Sequence, residues 1–86
     1  MRGFAKIYTV QFHDAAHDIT TVQVFTQEYL AWGYFLKIRR ELLSTREYAS
    51  HSTEGSCFEG YLTDDRGRDY IEYMTWDLNQ LPHTEI

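Results

Sequence analysis

A single cysteine, a single proline and five scattered glycines are all this 86-residue chain has of the residues that cross-link, stiffen or loosen a backbone. The lone Cys57 excludes an intramolecular disulfide framework. Gly3, Gly33, Gly55, Gly60 and Gly67 are too dispersed for a phosphate-cradling loop, whose amides must converge within a few residues. No apolar run approaches the roughly 20 residues needed to span a bilayer. The opening Met1-Arg2-Gly3-Phe4-Ala5-Lys6 lacks the apolar segment of a secretion signal, and no basic cluster suits an anionic membrane surface. A cytoplasmic protein without a membrane role is expected.

Basic residues are also scarce where they would matter for nucleic acid. Residues 1–46 carry six basic and four acidic side chains, a balance of +2, whereas residues 47–86 carry two basic and nine acidic, a balance of −7. Direct binding to nucleic acid requires Lys and Arg to neutralise phosphates, so this distribution argues against it outside the Arg39-Arg40 pair. An acidic surface suits a basic protein partner better. With 43% hydrophobic and 16% aromatic residues, the chain has ample material for one compact core.

Alternation of side chains marks the strands. Phe4 to Phe12 alternates in the manner of a half-buried strand, and Ile19 to Phe25 is rich in β-branched residues. The polar His13 to Asp18 between them is short enough for a hairpin loop. Thr26 is the expected N-cap of a helix running from about Gln27 to between Leu43 and Tyr48, with Glu28 in the first turn and Arg39, Arg40 and Arg46 toward the other end. Ser50 to Ser56 is small and polar and reads as a loop. A second hairpin follows, Cys57–Thr63 and Asp69–Trp76 around Asp64-Asp65-Arg66-Gly67, where Gly67 supplies a positive φ. Residues 77–86, with Pro82, read as a tail. The expected fold is a single α+β domain over residues 1–76, a four-stranded antiparallel sheet in the order β-β-α-β-β with one helix packed on one face.

The helix carries more apolar surface than one core requires. At about 100° per residue, Ala31, Phe35, Ile38 and Leu42 form one stripe, and Trp32, Leu36 and Leu43 form another, with Arg39 between them. The first stripe suits the core; the second is a candidate self-association surface comprising Trp32, Leu36, Arg39 and Leu43, because a two-fold dimer commonly covers such a stripe.

Reactive constellations are weak. His13, Asp14, His17 and Asp18 lie within six residues, yet no third or fourth ligand is placed by spacing, so a solvated loop and no metal are expected. Cys57 and His51 could supply a nucleophile and a base, but nothing orients them, and a small thiol at a strand start is ordinarily structural. No catalytic group and no cofactor are assigned. The acidic hairpin has more content: Glu59, Asp64, Asp65, Asp69 and Glu72 interleave with Tyr61, Tyr70 and Tyr73, a combination that gives large contact area and electrostatic steering.

In layout, residues 4–76 resemble the small acidic α+β proteins that phages and mobile elements encode against host defence systems, anti-CRISPR proteins among them. The shared features are the small isolated domain, the Asp64-Asp65-Arg66-Gly67 hairpin with its carboxylates, and the missing catalytic constellation. The resemblance implies a non-enzymatic inhibitor, acting in the host cytoplasm, that presents acidic and aromatic side chains to a larger basic, nucleic-acid-binding complex. A homodimeric accessory subunit is the alternative, and a small metal or thiol enzyme a more distant one.

Overall fold

The computed structural model describes residues 6–77. Five strands and one helix follow in the order β1 (Lys6–Asp14), β2 (Ile19–Phe25), α1 (Glu28–Thr45), β3 (Tyr48–Glu54), β4 (Cys57–Leu62) and β5 (Arg68–Asp77). The α+β class with a single helix on an antiparallel sheet is as expected, but the sheet has five strands rather than four. The additional one, β3, occupies the segment expected to be a loop. Its sequence, Tyr48-Ala49-Ser50-His51-Ser52-Thr53-Glu54, looks like a loop because it lies at a sheet edge and six of its seven residues are exposed. Glu54 pairs with Cys57, so Gly55-Ser56 is a two-residue turn. Gly55 at φ +58° provides the left-handed first position that such a turn requires.

The sheet order is β2-β1-β5-β4-β3, with every neighbouring pair antiparallel. The last described strand is thus central, joining the N-terminal hairpin to the β3–β4 hairpin. Asp77, expected in the tail, closes β5 opposite Lys6; the remainder of that tail and the expected strand start at Phe4 and Ala5 lie outside the described residues.

The helix lies over β1, β5 and β2. It buries Ala31, Phe35, Ile38 and Leu42, the stripe its periodicity specifies, against Val10, Phe58 and Ile71. Each fully buried Phe or Ile contributes about 1.5–3 kcal/mol through removal of apolar area from water. The N-cap is Gln27 rather than Thr26, and it makes no side-chain cap bond. At the other end the Arg46 backbone N–H donates to the Leu42 carbonyl at 2.9 Å; the last turn, Leu42-Leu43-Ser44-Thr45, holds no basic residue, and the side chain of the C-cap Arg46 turns to Asp69. Among the described residues, no helix is long and apolar enough to cross a membrane.

Candidate binding surface

Strand alternation divides the sheet into a helix-covered face and an open one. Tyr8, Val10 and Phe12 of β1 point into the core, which sends Ile7, Thr9, Gln11 and His13 to the opposite face. The register then fixes their neighbours. Ile7 lies beside Trp76, and Thr9 between Val24 and Met74. Gln11 lies between Val22 and Glu72, with Cys57 and Glu54 continuing that row. Thr20, His13, Tyr70, Glu59 and Ser52 form the next row, and Arg68 and Tyr61 the last. No second layer of the described residues covers this face.

Its two ends differ in chemistry. One is an apolar hollow of about 330 Å³ lined by Ile7, Thr9, Gln11, Val22, Met74 and Trp76. The Trp76 indole N–H donates to Thr9 Oγ1 at 3.1 Å, which fixes the ring. The other end is aromatic and charged. His13 stacks on Tyr70 at 5.5 Å, the Arg68 guanidinium lies 5.0 Å over the same ring, and Arg68 pairs with Glu59 at 2.6 Å. Gln11 Nε2 donates to the Tyr70 hydroxyl at 2.9 Å and so links the two ends. Glu54, Glu59 and Glu72 against Arg68 leave the open face acidic.

The eight residues assigned from sequence to a single acidic surface separate into three places. Glu59, Tyr61, Tyr70 and Glu72 are on the open face. Asp64 and Asp65 are exposed in the β4–β5 turn, where Asp64 is bonded to Arg66 at 2.7 Å. Tyr73 turns toward the helix, half-buried beside Tyr8 and edge-on to Trp32, with its hydroxyl donating to Glu28 at 3.1 Å. Asp69 does not face a partner at all. It shares the inward parity of Ile71 and Tyr73 on β5 and is fully buried. Alternation cannot place Tyr70 and Glu72 outward without placing Asp69 and Tyr73 inward.

Buried Asp69 is the centre of an ionic network. Its carboxylate accepts from Arg46 Nη1 at 2.8 and 2.9 Å, from the Tyr48 hydroxyl at 2.7 Å and from the Ala15 backbone N–H at 2.7 Å. Arg46 also reaches Asp14 at 3.0 Å. Burial alone would raise the Asp14 pKa, but the hydrogen bonds from Arg46 and His17 and the Arg46 charge outweigh it and bring the carboxyl down to about 2. The Asp14 bond, with that of Asp69, raises the Arg46 pKa still further, and burial followed by the Asp69 bond pushes Tyr48 well above its ordinary value. Asp14 and Arg46 are therefore charged and Tyr48 neutral at neutral pH, and the buried Asp69 carboxylate spends its oxygens on four hydrogen bonds within the fold. The network joins the β1–β2 turn, the helix end, β3 and β5.

The remaining candidates resolve similarly. Trp32 stacks face to face on Phe35 at 5.0 Å yet stays 38% exposed, whereas Leu36 packs against the core, so the second helix stripe is only partly taken up by the fold. Leu43 stays exposed and Arg39 half-buried, and both line a shallow groove with Leu36, Arg40 and Ser44. Cys57 and His51 cannot pair, since His51 faces inward against Tyr48 and Phe58 while Cys57 is on the open face. Burial, then the charges of Glu59, Glu72 and Glu54, raises the thiol pKa and opposes thiolate formation. His13 and His17 bond separately to Thr20 and Asp14, and no group of three potential metal ligands forms among the described residues.

Sequence reasoning missed the apolar half of the open face, although Ile7, Thr9 and Gln11 alternate with the core residues of β1, and Met74 and Trp76 with Tyr73 on β5. No family model matches the chain, and no curated protein or solved structure matches it either.

Proposed function

We propose that this protein is a non-enzymatic binding module that docks a larger, basic protein partner on the open face of its sheet and thereby blocks or modulates it. The supporting observation is that a face covered by no other layer of the described residues carries Trp76, Met74, Ile7 and Val22 in continuity with Tyr61, Tyr70, Glu59 and Glu72. A surface meant only for solvent has little use for an anchored indole beside a thioether. Aromatic anchors in an apolar hollow supply affinity, and carboxylates at one end supply orientation and a fast approach of a cationic surface. A nucleic-acid-binding host complex has such a surface, which is how the inhibitor layout noted above fits the geometry.

The test uses a partner isolated with the wild-type chain and then purified. Titration calorimetry should find at least about tenfold weaker binding for Trp76→Ala and for Glu59→Lys/Glu72→Lys, the latter with reduced salt dependence. Unchanged affinity in both variants would remove the open face as the docking surface.

A further inference from the structure

The two edges of the sheet are not equivalent. β3 has a register break between Tyr48 and Ser50 and carries His51 and Glu54. β2, Ile19-Thr20-Thr21-Val22-Gln23-Val24-Phe25, has no charge and no proline, and it pairs with β1 without a bulge from Ile19 to Phe25. Six of its seven residues are exposed. An uninterrupted edge offers a row of backbone N–H and C=O groups to another strand, and sheets ordinarily close such edges with charge, proline or a bulge. β3 is closed in this way, and among the described residues nothing closes β2.

We propose that β2 is the interface for a second copy of this chain, pairing antiparallel with its counterpart across a two-fold axis so that two five-stranded sheets join into one of ten. Charge selects the occupant. The chain carries −5 overall and repels itself over much of its surface, yet β2 is neutral, so self-pairing brings no like charges face to face. A basic partner gains no electrostatic attraction there, because the carboxylates of the open face lie on β5, β4 and β3.

The side chains suit the same symmetry. With the axis at Val22, the middle of the strand, Val22 meets its own copy, and Ile19 of one copy lies opposite Phe25 of the other. Ile19, Val22 and Val24 are 54%, 53% and 60% exposed in the single chain, and this pairing covers apolar surface on both sides of the sheet. Val22 also lines the hollow that contains Trp76 and Met74. The two hollows become neighbours, forming one apolar band with an acidic region at each end. This assembly holds whether or not the open face also receives a basic partner.

Sedimentation equilibrium of the full chain from about 1 to about 100 µM, with circular dichroism as the folding check, tests the proposal. Wild type should be a dimer that dissociates on dilution, Val22→Lys should weaken dimerisation at least about tenfold with an unchanged spectrum, and Leu43→Asp on the helix should dimerise like wild type. Hydrogen exchange in the wild type keeps the test independent of the variant's folding: amides of residues 19–25 should exchange more slowly as protein concentration rises. A monomer at 100 µM, exchange at β2 independent of concentration, or a dimer dissolved by Leu43→Asp but not by a folded Val22→Lys would overturn it.

Discussion

Removing the Asp69 carboxylate should destabilise this domain more than removing any exposed acidic residue. In Asp69→Ala the Arg46 guanidinium keeps only Asp14, while the Tyr48 hydroxyl and the Ala15 N–H lose their acceptor. Breaking a buried pair by deleting one partner costs about 3–5 kcal/mol, most of it from groups left desolvated and unpaired. A domain of this size has about 5–10 kcal/mol of stability in total, so the variant should be close to unfolding. Urea denaturation followed by the fluorescence of Trp32 and Trp76 reads this directly. With a slope near 1 kcal/mol/M, the midpoint should fall by about 3 M. Arg46→Ala should cost a comparable amount, and the double variant much less than the sum, since the two side chains act on each other. A midpoint shift below about 0.5 M, or strict additivity, would refute the view that this network ties the four segments together.

Two further outcomes follow from the same end of the domain. The Asp14 carboxyl is lowered in the folded state from 3.8 to about 2, so its contribution, about 2 kcal/mol, is fully present above pH 4 and disappears as pH falls toward 2; Asp14→Asn should remove that part of the acid sensitivity in urea melts run across this window. Gly60→Ala should lower the thermal midpoint at a cost of about 1–3 kcal/mol, because the new Cβ would lie 2.7–2.9 Å from the Tyr48 ring, which its bond to Asp69 prevents from moving aside. An unchanged melt for Gly60→Ala would show that the ring yields.

Some of the surface was legible in the chain and some was not. Glu59, Tyr61, Tyr70 and Glu72 were identifiable as a group because they crowd two paired strands, and they do share the open face. Asp69 was grouped with them wrongly, because composition records that a carboxylate is present and not which side of a strand it occupies. β3 escaped recognition for a different reason. A polar strand at a sheet edge has the composition of a loop, and its readable signal was the two-residue Gly55-Ser56 turn, a recognised hairpin sequence.

By itself the sequence determined what depends on neighbours along the chain. The 3.6-residue spacing of Ala31, Phe35, Ile38 and Leu42 specified both the helix and its buried face, and β-branched alternation specified β2 from Ile19 to Phe25. Only the tertiary structure decided what depends on residues far apart in the chain. Asp69 meets Arg46, 23 positions earlier, and the Ala15 amide, 54 positions earlier, while Trp76 anchors to Thr9 across 67 positions. Local propensity is silent at such separations, because it is the insertion of β5 between β1 and β4 that fixes which carboxylate is sealed inside and which aromatic side chains remain uncovered.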